Sequence, residues 1–199
     1  GVGRVAEVGA AVTAFRPGDR VLFLSSAHVD TFLDDQRGTW REQLRLPAEV
    51  LIPAPEGDAA QYANIVNPAT AYVYVHDVTR PAQGEWLLQN AANSNVGRYL
   101  IKIANLYGCK TVNVVRRKSL VAALRELGAD AVVMDGPDLA ERVVKATDGA
   151  EIRFGLDALA GEATTRLASC LTHGGTVFNY GLVSGHPCEL PSWMMLNRD

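Results

Sequence analysis

Between Ala91 and Gly97 the chain reads Ala-Ala-Asn-Ser-Asn-Val-Gly, set between the apolar run Trp86–Gln89 and the helix-like run Val96–Leu106. Small residues let a charged group come close to the backbone. A helix that starts there also offers unpaired N–H groups and a partial positive charge. That is chemistry for holding a phosphate. Against the Gly-x-Gly-x-x-Gly pattern of dinucleotide sites, Ala92 and Ser94 replace the first two glycines and Gly97 keeps the third. Alone the substituted pattern is weak, because any strand–turn–helix unit can carry a small-residue turn.

A second feature sharpens it. After Thr111–Val115 comes Arg116-Arg117-Lys118. A site for NAD places an Asp or Glu at this point to bind the ribose 2′-hydroxyl, and that acid would repel a 2′-phosphate. Guanidinium groups bind such a phosphate through charge-assisted hydrogen bonds. The plainer account is a solvated basic start to the next helix, although cations there oppose the helix dipole. Turn and cluster together point to NADPH.

These residues need elements to hold them. From Glu85 the pattern alternates as strands at Trp86–Gln89, Thr111–Val115, Ala131–Met134, Ile152–Leu156 and Thr176–Tyr180. Between them lie helices at Val96–Leu106, Ser119–Leu127 (capped by Ser119), Leu139–Thr147 and Glu162–Leu171. Such alternation predicts right-handed crossovers and a parallel sheet. Before it, residues 1–55 read as β structure, with a turn at Arg16–Asp19, a loop over Ser25–Gly38 and one or two short strands in Thr39–Ile52. Asp58 is set to cap the first of two short helices that meet at Asn67-Pro68.

Composition bounds the rest. The 199 residues are 48% hydrophobic, enough for a real core, and the formal net charge of −3 gives no global basic field for nucleic acid or an anionic membrane. Cys109, Cys170 and Cys188 form neither a disulfide framework nor a zinc spacing, which favours a reducing compartment. No apolar run approaches the ~20 residues of a membrane span. Gly1 opens inside a strand-like pattern, and Asn197-Arg198-Asp199 closes with no terminal helix. The expectation is therefore a chain lacking both ends of its parent.

The chain resembles the zinc-independent medium-chain dehydrogenase/reductases, most closely the 2-enoyl thioester reductases acting on enoyl-CoA or enoyl-ACP. The matching pieces are Gly38-Thr39-Trp40 with the Pro-rich exit at 53–55, Val66-Asn67-Pro68-Ala69-Thr70-Ala71, QNAANSNVGRYLIKIA, TVNVVRR, LRELGAD and GGTVFNYG. The resemblance implies an α/β fold: a Rossmann doubly wound parallel sheet over 58–199, truncated at its C-terminal end, preceded over 1–57 by part of a GroES-like β domain. It implies NADPH, with Asn67 on the nicotinamide side. It puts Asn93, Ser94, Asn95 and Val96 along the pyrophosphate. Arg116, Arg117 and Lys118 fall at the 2′-phosphate, and Tyr180, Gly181, Leu182 and Val183 beside the nicotinamide.

The same resemblance implies conjugate reduction of the C=C bond, no metal, and a homodimer for the intact enzyme. It places the catalytic tyrosine N-terminal to Gly1, so no catalytic residue is expected within this chain and little or no turnover by the chain alone. The expected compartment is the cytoplasm, with the mitochondrial matrix as the alternative. Two other functions stay open: an NADPH:quinone or enone reductase, and an NADPH binder without turnover. Tyr62, Tyr72, Tyr74, Tyr99 and Tyr107 read as packing residues, and His28, His76, His173 and His186 as surface or capping residues. Tyr180 is expected to contribute its backbone, and Asp157 a structural hydrogen bond to the loop that follows it.

Overall fold

A computed structural model describes residues 1–23 and 41–197. It divides into two compact units, Gly1–Val66 and Asn67–Asp199. The expected loop Ser25–Gly38, with His28, and the Gly38-Thr39-Trp40 match lie outside the described residues, as does the Arg198-Asp199 end.

The first unit holds β1 (Val2–Arg4), β2 (Arg20–Phe23) and β3 (Leu51–Pro53) in one antiparallel sheet with β2 at the centre. The Arg16–Asp19 turn closes as the sequence predicts. The Asp19 amide donates to the Arg16 carbonyl at 3.1 Å, and the Arg16 amide donates to Asp19 Oδ2 at 2.9 Å. Among the described residues, 41–52, the strands expected in Thr39–Ile52 are reduced to the start of β3. Pro47 opens a 3₁₀ turn at Ala48–Val50, and only from Leu51 does the chain pair with β2. Asp58 does cap α1 (Ala59–Ala63), its Oδ1 accepting the Ala60 amide at 2.9 Å. The two helices do not meet at Asn67-Pro68, however. Pro68 falls in the first turn of α2 (Val66–Val73), where a missing N–H costs no helical bond.

The second unit is a five-stranded parallel sheet. Its strands are β4 (Trp86–Gln89), β5 (Lys110–Val115), β6 (Ala131–Met134), β7 (Ile152–Asp157) and β8 (Thr176–Asn179). Their order is β6-β5-β4-β7-β8. The helices that connect them are α3 (Asn95–Leu106), α4 (Val121–Glu126), α5 (Leu139–Ala146) and α6 (Glu162–Ser169). Both faces are covered, which is why β4 and β5 read as unbroken buried runs. On one face Leu88, Val112 and Val114 pack with Leu139, Val143 and Leu167. On the other, Leu87 and Leu156 pack with Leu100, Ala104 and the α2 residue Ala71, while Val115 meets Ile101 and Leu124. This is the Rossmann doubly wound sheet. Because β5 and β6 lie to one side of β4 and β7 and β8 to the other, the chain order reverses between β4 and β7. Ligands of such sheets bind at the carboxyl end of that junction.

Two local expectations are corrected. Ser119 caps nothing: it lies inside a 3₁₀ turn, Lys118–Leu120, that leads into α4. A helix does occur near the end, α7 (Ser192–Asn197). It buries Met194 while Trp193 and Met195 stay more than half exposed.

Candidate functional site

Strand β4 delivers the chain to the carboxyl edge at Asn90, and five residues later α3 begins. The turn between them is forced tight. Ala91 sits at φ 46°, a left-handed backbone that costs a non-glycine residue about 1 kcal/mol. Ala92 is fully buried. Gly97 has no room for a side chain: a Cβ there would lie 2.7 Å from the Ala92 carbonyl oxygen and 2.8 Å from the Ala92 Cα. Gly97 therefore lets the helix lie against the turn.

Ser94 caps α3, its Oγ accepting the Gly97 amide at 3.1 Å. The first backbone bond into the helix runs from the Arg98 amide to the Ser94 carbonyl at 2.9 Å. The amides of Asn95 and Val96 have no acceptor among the described residues. Asn93 and Asn95 are exposed; Ser94 and Val96 are half-buried, with Val96 packed on the core below. The result is a cradle of free N–H groups at the positive end of a helix, which fits an anion such as a pyrophosphate.

Buried amides brace the cradle from beneath. Gln89 Nε2 donates to the Gly97 carbonyl at 3.0 Å and to Asn113 Oδ1 at 2.7 Å. Asn113 Nδ2 donates in turn to Thr111 Oγ1 at 2.9 Å and to the Ala131 carbonyl at 3.0 Å. The first turn of α3 is thus tied to β4, β5 and β6.

Arg116, Arg117 and Lys118 follow β5 at the same edge. All three are exposed, and none makes an ion pair or side-chain hydrogen bond among the described residues. An unengaged basic trio suits a dianionic phosphate.

The other side of the junction is built on Asp157, which closes β7 and is fully buried. Its carboxylate accepts from Asn90 Nδ2 (2.6 Å), Thr164 Oγ1 (2.6 Å), and the amides of Leu159 (2.9 Å) and Ala160 (3.1 Å). Burial opposes the charge, but the Thr164 and Asn90 hydrogen bonds, with those from the Leu159 and Ala160 amides, outweigh it and hold the carboxyl below its usual range. Asp157 thus makes the structural bond to its loop that the sequence suggests.

Beyond β8 the chain doubles back along that loop. The Tyr180 amide donates to the Asp157 carbonyl at 2.9 Å, and the Val183 amide to the Ala158 carbonyl at 3.2 Å. At Gly181 a Cβ would lie 2.5 Å from the Ala158 carbonyl oxygen, so only glycine passes here. Leu182 and Val183 emerge exposed. The Tyr180 side chain turns the other way. Its ring meets Tyr74 at 5.4 Å, and its buried hydroxyl has no partner among the described residues. Burial, then Tyr74 and Asp157, pushes its pKa up to about 12.

The fold therefore brings together the turn 90–97, the basic trio and the 180–183 segment, at the carboxyl ends of β4, β5 and β8. Asn67 comes from a different element, the first turn of α2, whose Ala71 reaches the core beneath the sheet. Sequence reasoning passes over Asn90, Gln89 and Asn113. The signal that could find them is an amide side chain inside, or directly after, an otherwise apolar buried strand. Among the described residues no group of three or more His, Cys, Asp or Glu side chains could hold a metal ion, and no helix is long and apolar enough to cross a membrane.

Comparison with known proteins fits this geometry. The family model for zinc-binding dehydrogenases matches residues 95–198, just over half of the chain. A mitochondrial enoyl-[acyl-carrier-protein] reductase from Caenorhabditis elegans is 34% identical over 100% of this chain and 56% of its own length. The chain thus spans about half the length of the curated relatives it matches. Among solved structures, the Etr1p/NADP/crotonyl-CoA complex superposes with a TM-score of 0.81 at 26% identity, covering 100% of this chain and 58% of that one. A candidate NADPH:quinone reductase from Bacillus thuringiensis superposes with a TM-score of 0.79 at 29% identity, covering 94% and 55%. On this fold, this crevice and these matches, the chain belongs to the zinc-binding dehydrogenase family of medium-chain dehydrogenase/reductases.

Proposed function

We propose that this chain is the cofactor-holding part of an NADPH-dependent reductase that saturates the C=C bond of a 2-enoyl thioester, enoyl-CoA or enoyl-ACP. One observation carries the cofactor assignment. The exposed, unpaired Arg116-Arg117-Lys118 stands where a site for NAD would present an acid, one strand away from the free amides of α3. The Asn95 and Val96 amides take the pyrophosphate. Arg116, with Arg117 and Lys118, takes the 2′-phosphate. Gly181 lets the backbone cross close to Ala158, so that Leu182 and Val183 offer an apolar surface to the nicotinamide ring, with Asn67 on its other side.

When bound, the cofactor supplies the hydride that goes to the β-carbon, and the α-carbon then takes a proton. This chain's part is placement: it fixes the phosphates and leaves the ring at the carboxyl edge, where a reacting carbon can be held within reach. The thioester assignment rests on kinship with the enoyl-[acyl-carrier-protein] reductases. The quinone or enone alternative keeps support from the Bacillus thuringiensis structure. Those enoyl-[acyl-carrier-protein] reductases are mitochondrial, which favours the mitochondrial matrix over the cytoplasm. The Candida tropicalis thioester reductase is an Etr1p/Etr2p heterodimer, which favours a dimeric enzyme.

The test is a pair of titrations followed by an assay. NADPH is expected to bind this chain at least about tenfold more tightly than NADH, roughly 1.4 kcal/mol. Equal affinities, or no binding of either, overturn the cofactor reading. Turnover is then assayed with NADPH on the complete open reading frame. Reduction of crotonyl-CoA supports the thioester; reduction of a small quinone alone replaces it with the second reading. Tight NADPH binding with neither substrate reduced leaves a binder without turnover.

A further inference from the structure

The loop after β6 carries two acids, Asp135 and Asp138, and both are taken up by arginines from helices below. Arg166 of α6 forks onto Asp135, Nε to Oδ1 and Nη2 to Oδ2, each at 2.9 Å. Arg142 of α5 reaches Asp138 at 3.0 Å. Asp135 also stands close to the start of the basic trio. Its amide donates to the Val115 carbonyl at 2.9 Å, which sets it beside the residue that precedes Arg116. The Gly136 amide donates to Asp135 Oδ1 at 2.9 Å and fixes the carboxylate further.

Left bare, a carboxylate on a residue whose backbone pairs with the one before Arg116 would compete with any phosphate for that guanidinium. It would also add negative potential where the phosphate must sit. The fork from Arg166 opposes both by engaging the two carboxylate oxygens and offsetting their charge. Arg166 needs no contact with the ligand to do this. We infer that Arg166 is a specificity-determining residue of the cofactor site, one that sequesters Asp135 so that Arg116 stays free for a 2′-phosphate. The inference rests on the cofactor reading above. It is supported by the electrostatics of Asp135. Burial raises its pKa, but the hydrogen bonds and charge of Arg166, then the Gly136 amide and the charge of Arg116, bring it below the usual carboxylate range. Arg116 therefore already lies within the field of this carboxylate.

The probes are adenosine 2′,5′-bisphosphate and 5′-AMP, which differ by the 2′-phosphate and need no turnover. The readout is the ratio of their affinities for the whole chain. Arg166→Gln is expected to lower the ratio roughly three- to tenfold, the range of a single charge a few ångströms away in a solvated site. Adding Asp135→Asn to Arg166→Gln should restore it, because the competing charge is gone. Asp135→Asn alone should leave the ratio unchanged or raise it, and this variant also serves if Arg166→Gln does not fold.

A pair that merely pins the loop would behave differently. Both probes would weaken together in Arg166→Gln, the double variant would not recover the ratio, or Asp135→Asn would lower it; any of these overturns the inference. Wild-type chain without preference for the bisphosphate overturns the cofactor reading and this inference with it. Wild-type preference with an unmoved Arg166→Gln ratio overturns the inference alone.

Discussion

Asn90 and Asp157 clasp the two strands that flank the point where the sheet reverses its order. Asn90 Nδ2 donates to Asp157 Oδ1 at 2.6 Å, and Asn90 Oδ1 accepts the Ala158 amide at 2.8 Å. One side chain closes β4 and the other closes β7, and both are buried. The clasp sets the spacing between the turn that precedes α3 and the loop that supports residues 180–183.

Asp157→Asn puts an amide group where only acceptors fit, so at least one buried donor loses its partner. The expected loss is about 2–4 kcal/mol in urea unfolding at neutral pH. Because the Asp157 pKa is depressed in the fold, its contribution is present above the unfolded value of about 3.9 and is lost as pH falls through the folded value. The wild-type chain should therefore lose stability below about pH 4, and the variant should show a shallower acid limb. A loss under about 0.5 kcal/mol would remove Asp157 from its role as the centre of the crevice.

Gly97→Ala drives a methyl group into the backbone of Ala92, which cannot yield as a side chain could. The expected cost is roughly 1–3 kcal/mol of stability, together with loss of measurable NADPH binding, read by denaturation and by titration. Binding that survives unchanged would show that α3 need not lie against this turn.

Arg116→Ala is expected to weaken NADPH by roughly 1.5–3 kcal/mol, about ten- to over a hundredfold, with NADH nearly unaffected. Fluorescence titration of both nucleotides decides it. Equal losses for the two would make Arg116 a supporter of the fold.

Tyr180→Phe removes a hydroxyl that is buried without a partner among the described residues, so stability at neutral pH should hold or rise by up to about 1 kcal/mol. The raised pKa of Tyr180 means that its neutral form belongs to the folded state. Its stabilisation is full below the unfolded value near 10 and is lost as pH rises through about 12. Unfolding midpoints between pH 10 and 12 should fall less steeply in the variant. Destabilisation of more than about 1 kcal/mol at pH 7 would reveal a partner for the hydroxyl.

Where the residue pattern speaks of backbone, it speaks clearly. Trp86–Gln89 and Ala131–Met134 are strands with the bounds that alternation predicts, and Gly97 is the glycine that the helix needs. The errors come where one local signal competes with another. Pro68 looks like a break and serves as a helix start. Ser119 looks like a cap and lies inside a 3₁₀ turn.

Sequence alone thus determined the strand and helix succession, the small-residue turn and the position of the basic trio, because each depends on residues close together in the chain. Tertiary structure decided what surrounds them. The hydrogen bond from Asn90 to Asp157 joins residues 67 apart, and the fork from Arg166 to Asp135 joins residues 31 apart. No local pattern encodes such pairs. They exist because a parallel sheet gathers the carboxyl ends of distant strands along one edge, where each buried polar group must find its partner.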